Sequence, residues 1–311
     1  MKRHLTYLLL LVVCPLMGWA QINTERVMAI GRNALYFEDY VLSIQYFNQV
    51  INAKPYLADP YFFRGLAKIN LDDFSGAESD CTEAIERNPF VVNAYQVRGL
   101  ARIQQDKLAD AVKDYQKALE LDPENIALWH NLALCRIRQK EYDAAKNDLD
   151  RLIIISPRYT KAYLMRGEVD LKQKDTLTAE KDFNRAIEID RYDPDTWASR
   201  GMLYLMKEQY KEAEEDLGKA IHLSVRNPGL YINRALARYH QNNLRGAMAD
   251  YDLAIDMDAN NFIGHYNRGL LRAQVGDDNR AIEDFNFVIE MEPDNMMAIF
   301  NRGLLLDQTG D

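Results

Sequence analysis

Seven 34-residue steps separate Pro55 from Pro293 without an insertion or deletion. Pro55, Pro89, Pro123, Pro157 and Pro293 fall on one register, and Arg191, Val225 and Ala259 occupy the same place in the intervening steps. A single repeat of this length cannot cover its own apolar face, so a chain with such a period must stack neighbouring repeats into a quasi-one-dimensional array. The 311 residues, 48% of them apolar, therefore describe one extended array rather than two ordinary domains. Binding in such an array takes place along a surface rather than in one pocket.

Counting each repeat from 31 residues before the proline register, the repeats start at Thr24, Ala58, Val92, Ile126, Thr160, Pro194, Pro228 and Phe262, and a ninth starts at Met296. Position four is usually aromatic (Tyr61, Tyr95, Trp129, Tyr163, Trp197, Tyr231), and position eight is Gly or Ala throughout. Position twenty is Ala in seven repeats and Ser43 in the first. Position twenty-four is large and apolar, with Cys81 the exception, and position twenty-seven is mostly Ala. Apolar spacings of three and four residues predict two amphipathic helices per repeat, separated by polar turns such as Leu71-Asp72-Asp73 and Gln241-Asn242-Asn243. The small residues allow close helix approach and the large ones fill the adjoining space. Two repeats that lack proline on the register carry Asp193-Pro194 and Asn227-Pro228 three residues on, which read as an N-cap followed by proline in the first helical turn.

This set of columns resembles the tetratricopeptide repeat family over residues 24–311. The resemblance implies an all-α fold, a right-handed superhelical solenoid of antiparallel helix pairs whose first helices line the concave side. One departure from the commonest family pattern is systematic. Position seven is Arg in Arg64, Arg98, Arg166, Arg200, Arg234, Arg268 and Arg302, and position twenty-three is Asp in Asp80, Asp114, Asp148, Asp182, Asp216, Asp250 and Asp284. The arginines could form a ladder for an anionic ligand. Because the two columns occur together, the favoured reading pairs each guanidinium with the aspartate of its own repeat, locking that repeat internally. The fourth repeat has Leu132 opposite Asp148, so that aspartate is expected to be more exposed or otherwise bonded.

Residues 1–20 differ from the rest. Lys2, Arg3 and His4 precede an apolar run, and Gly18-Trp19-Ala20 offers small residues at a cleavage site, the pattern of a secretory signal cut after Ala20. Lipidation of Cys14 is the weaker alternative, because Val13 before it is not small. The array is accordingly expected to be exported, to the periplasm or beyond, with contact to a membrane only through association with the envelope. Cys81 and Cys135 lie two repeats apart and in different positions of the repeat, so they are expected as buried free thiols rather than a disulfide. The net charge of −9 and the lack of basic clusters with interleaved aromatics argue against nucleic acid as a partner.

The five histidines are scattered, with no metal-ligand spacing, glycine-rich phosphate loop or nucleophile motif around them, so no catalytic site, metal or cofactor is expected. Family members place ligands against positions two, five, nine, twelve and thirteen of the first helices. Carried onto this chain, that expectation selects Phe62, Leu66 and Asn70, then Gln96 and Gln104, then His130 and Arg138. Further along it selects Leu164 and Lys172, Met206, Ile232 with Tyr239 and His240, and finally Tyr266 and Gln274. The resulting strip is apolar with polar edges and suits a segment of another protein or a peptide; alternatively, positions nine and twelve are used up in packing. Some relatives hold a partner's terminal carboxylate with Lys at position five, but no lysine occupies that position here.

The ninth repeat reaches only Asp311, so either the polypeptide continues or this edge docks on a partner or on another copy of the chain. The expected function is a non-catalytic interaction scaffold of the cell envelope, the alternative a targeting or regulatory arm of a larger enzyme or assembly. Recognition of glycans is disfavoured because Trp129 and Trp197 fall in the packing position.

Overall fold

The computed structural model describes residues 23–309. The expected signal segment, its cleavage after Ala20 and Cys14 lie outside the described residues, as do Gly310 and Asp311. The described residues form seventeen α-helices and no strand: α1 (Thr24–Tyr36), α2 (Tyr40–Ala53), α3 (Asp59–Ile69), α4 (Phe74–Arg87), α5 (Val92–Gln104), α6 (Leu108–Leu121), α7 (Ile126–Arg138), α8 (Tyr142–Ile155), α9 (Thr160–Lys172), α10 (Thr176–Ile189), α11 (Pro194–Met206), α12 (Tyr210–Leu223), α13 (Pro228–His240), α14 (Leu244–Met257), α15 (Phe262–Gln274), α16 (Asp278–Met291) and α17 (Met296–Thr309). Odd-numbered helices are the first helices of the repeats. Each begins on the residue the period gives, apart from α3, where Ala58 caps the helix and its carbonyl accepts from the Phe62 N–H. Side chains of Asn23, Asp73, Asn125, Asp175, Asn243 and Asn261 accept from first-turn N–H groups. Pro194 and Pro228 open α11 and α13 behind the caps Asp193 and Asn227, as expected.

The chain divides into two compact lobes, one ending at Pro123 and the other beginning at Glu124. The first lobe holds α1–α6. Each first helix packs on its own second helix, and α2 and α4 pack on the next repeat's α3 and α5. Its core includes Phe47, Val50, Tyr61, Cys81, Ala84 and Val97. The second lobe holds α7–α17 arranged in the same way, with its largest cluster around Leu217, Tyr231, Tyr251 and Leu271. Within each lobe neighbouring first helices also touch, α1 with α3 and α3 with α5, then α9 with α11, α11 with α13 and α15 with α17. First helices are thus the inner elements of each lobe. Cys81 and Cys135 are both buried and free; burial pushes the thiols up to about 12 and about 11.

Close approach within a repeat rests on position eight. A methyl group on Gly31 would sit 2.7 Å from the Phe47 ring, and one on Gly167 would sit 2.6 Å from Phe183. The reversal from first to second helix uses a left-handed residue at position fifteen. Glu38, Asp72, Asp106, Lys140, Lys174, Glu208 and Asn242 adopt φ of 58–64°, and Gly276 adopts 81°. Seven of these eight turns thus place a side chain where L-residues are strained by roughly 1–2 kcal/mol. The turn polarity is visible in the sequence, but this backbone state is not.

Gly167→Ala is expected to lower stability by about 1–3 kcal/mol in urea unfolding, because the Phe183 ring has to move. Gly303, also at position eight, has nothing within 4 Å of the corresponding methyl. Gly303→Ala should therefore be neutral or stabilising by up to about 1 kcal/mol through helix propensity alone.

Candidate protein-binding surface

The inner face is set by the polar seam behind it. All six Arg–Asp pairs form within their own repeat. Arg64, Arg166, Arg200, Arg234 and Arg268 each donate Nε and Nη2 to the two carboxylate oxygens of Asp80, Asp182, Asp216, Asp250 and Asp284, and Arg98 engages Asp114 through the same two atoms. These aspartates are buried, between 1% and 5% exposed, so a forked, charge-assisted partner is what makes their ionised form tolerable. The arginine also lies over the aromatic at position four, as Arg200 does over Trp197 at 5.0 Å and Arg64 over Tyr61 at 5.5 Å.

The pair does more than lock one repeat. The remaining nitrogen, Nη1, donates to the side chain at position twenty-five of the preceding repeat: Arg64 to Asn48, Arg98 to Thr82, Arg166 to Asp150, Arg200 to Asn184, Arg268 to Asp252 and Arg302 to Asn286. Each arginine thus holds its own repeat together, as the paired columns imply, and in addition ties it to the preceding one. The acceptors at position twenty-five are of three residue types, Asn, Thr and Asp, so no single repeated letter reveals their common role. A second link uses position four, whose polar edge reaches the carbonyl at position thirty-two. Tyr61 donates to Pro55 O, Tyr163 to Pro157 O and Trp197 to Arg191 O. Where the aromatic is replaced, His265 Nε2 stands 3.2 Å from Ala259 O and its Nδ1 contacts Asp284.

The exceptional fourth repeat resolves one of two expected ways. Asp148 is no more exposed than its counterparts, at 4%; Arg136 Nη1 holds one oxygen at 2.6 Å, and Oδ2 is buried without a hydrogen bond. Burial, only partly offset by Arg136, pushes its carboxyl up to about 6. A second polar column joins position twenty-one to position eleven of the next repeat. Glu78 takes bonds from Arg102, Gln105 and Lys107; burial alone would raise its carboxyl, yet these donors outweigh burial and bring it down to about 2. Glu214 takes Arg238 and Gln241 in the same way. Between α8 and α9 the polarity is reversed, with Lys146 at position twenty-one paired to fully buried Asp170 at 2.5 Å.

On the inner face the residues selected from sequence divide by depth. Phe62 and Ile232 are buried among the apolar clusters of their lobes and offer no contact surface. Leu66, Gln96, His130, Leu164, Tyr239 and Tyr266 are half-buried. Asn70, Gln104, Arg138, Lys172, Met206, His240 and Gln274 are exposed, so position thirteen is the open rail of this face. Asn70 bonds its own helix at Leu66 O, His130 contacts the Tyr159 hydroxyl, and His240 stacks on Tyr210 with centroids 4.4 Å apart. Burial, helped by Lys161, lowers the His130 imidazole.

Two cavities collect some of the selected residues. Between α9 and α11, Lys172 and Met206 line a cavity of about 450 Å³ with Glu168, Leu171, Ser199 and Met202. Met202 and Met206 are 49% and 60% exposed, and Ser199 donates to Glu168, whose carboxyl is raised by partial desolvation. Tyr266 joins Phe262, Ile263 and Met297 around a smaller cavity of about 280 Å³ between α15 and α17. Among the described residues there is no group of three or more His, Cys, Asp or Glu placed to hold a metal ion, and no helix is long and apolar enough to cross a membrane.

A TPR repeat model matches residues 99–136, and a tetratricopeptide repeat model matches residues 130–194 and 199–262. The chain belongs to the tetratricopeptide repeat family. Among solved structures the TPR array is similar to a tetratricopeptide repeat protein from Parabacteroides merdae, at 22% identity with a TM-score of 0.62, covering 80% of this chain and 98% of that one. It is similar also to Pseudomonas aeruginosa pilF, at 17% identity and TM-score 0.59, covering 70% and 97%. A third is YrrB, described as a TPR protein with an unusual peptide-binding site, at 21% identity and TM-score 0.52, covering 61% and 97%. These likenesses show the fold. No curated protein matches the chain.

Asp148 makes stability depend on pH in a defined direction. Its folded pKa lies above the unfolded value, so the native state holds the extra proton between about pH 4 and 6, and stability falls as pH rises through that window. The loss amounts to roughly 2–3 kcal/mol. Leu132→Arg, which restores the pair present in six other repeats, should flatten the fall between pH 4 and 7 when urea midpoints are compared with those of the unmodified chain.

Proposed function

We propose that this TPR array is an exported, non-catalytic scaffold that binds a segment of another protein along its first helices, with the cavity between α9 and α11 as an anchor site. The TPR fold is a protein-interaction scaffold, and among the described residues no catalytic constellation accompanies it here. The observation that carries the reading is the methionine-lined cavity at Met202 and Met206. Exposed methionines adapt their shape to an apolar side chain, while Glu168 and Lys172 at the rim supply polar groups that fix the orientation of a bound segment. Export is supported by the charged, apolar and small-residue pattern of residues 1–20.

Three measurements test this. Protein recovered from the envelope fraction of the producing cell should begin at Gln21 on N-terminal sequencing; a chain retaining Met1 in the soluble interior contradicts export. A photocrosslinking residue placed at Met206 should capture partner segments, whereas the same residue at Leu177, which is 65% exposed on second helix α10, should capture none. Capture confined to Leu177 contradicts the inner-face reading. Met202→Glu with Met206→Glu should weaken partner binding by about tenfold or more and change stability by no more than about 0.5 kcal/mol, since both side chains are already exposed.

A further inference from the structure

One arginine of the seam lacks the bond its counterparts make. In the sixth repeat position twenty-five is Gly218, so Arg234 keeps Nε and Nη2 on Asp250 while Nη1 has no side-chain acceptor among the described residues. A methyl group built on Gly218 would meet only that Nη1, at 4.0 Å. The missing side chain leaves room for an acceptor and a charged donor beside it.

Gly218 also lines a cavity of about 410 Å³ on the second-helix side of the array, away from the inner face. Its walls carry Arg191, Lys219 and His222, against a single carboxylate, Glu215. Trp197 forms an apolar wall, with the Lys219 ammonium 4.2 Å from its ring centroid. Trp197 packs against the core as its position in the repeat implies, but it is only half-buried, its Nε1–H is held by Arg191 O, and part of its ring lines the cavity. The fold itself shows which group fits beside the arginine. On Arg166 and Arg268 the acceptor at position twenty-five is a carboxylate, Asp150 and Asp252.

We propose that the Gly218 cavity binds a carboxylate from outside the array, held by the basic groups of its wall, Lys219 and Arg191, with its carbon chain against Trp197, in the space that a position-twenty-five side chain fills elsewhere. An acidic side chain of a protein segment and a small free carboxylate share this chemistry. The site is independent of the inner-face reading, since none of these residues lies in the α9–α11 cavity.

The test is titration of the full chain followed by the Trp197 indole N–H resonance, assigned with Trp197→Phe. The probes are a blocked tetrapeptide containing two glutamates, its glutamine counterpart, sodium acetate and inorganic phosphate. The glutamate peptide should shift the resonance at concentrations about tenfold lower than the glutamine peptide. Gly218→Asp supplies the carboxylate internally: it should abolish the shift without lowering the thermal midpoint, and Lys219→Gln should weaken it. Acetate acting as well as the peptide supports the site with a small carboxylate as its source. The proposal is overturned by no shift with either carboxylate, by a response to phosphate alone, or by a Gly218→Asp protein that folds and still responds to the peptide.

Discussion

The guanidinium at position seven is where three helices meet. Two of its nitrogens fork onto the aspartate of its own second helix, the third reaches back to the preceding second helix, and its flat face covers the aromatic one turn earlier on its own helix. A lysine could supply the charge but not three directed bonds in one plane. Burying an aspartate in each repeat is costly unless it is fully paired, so the arrangement fixes the distance and rotation of neighbouring helices more narrowly than apolar packing would. The glycine at position eight and the ring at position twenty-four can then approach within van der Waals contact because the polar seam already sets their spacing.

The period made most of this legible. Repetition turns a weak signal at one site into a column, and helix starts, the Arg–Asp pairs and the buried thiols could all be read from columns. What escaped was chemistry carried by unlike letters. Asn48, Thr82 and Asp150 share an acceptor role and nothing else, and Glu38 and Lys174 share a left-handed backbone that neither residue type announces. Surface residues were legible only in part. Position five reads as one column, yet Phe62 and Ile232 are buried where Gln96 and His130 are half-open, because depth there depends on which side chains the adjoining repeats contribute.

The surface that remains open is uneven. Position thirteen is an open rail in each lobe, with Asn70 and Gln104 in the first and Lys172, Met206 and His240 in the second. The seam is repeated almost unchanged while the rail is not, which separates the residues that hold the array together from those free to differ with the ligand. The same separation explains why a single glycine in the seam matters: Gly218 removes a structural acceptor where every other bridging arginine has one.

The reversed pair between α8 and α9 adds a constraint of another kind. In the second, fifth and sixth repeats position twenty-one offers an acid to the next repeat, as Glu78 and Glu214 do, but in the fourth Lys146 faces Asp170. Repeats that look interchangeable are therefore keyed to their neighbours. Deleting the fifth repeat would leave Lys146 facing Tyr204, and duplicating the fourth would set Lys146 against a second Arg136. The junction between the fourth and fifth repeats is thereby matched to one neighbour by the sign of a buried charge.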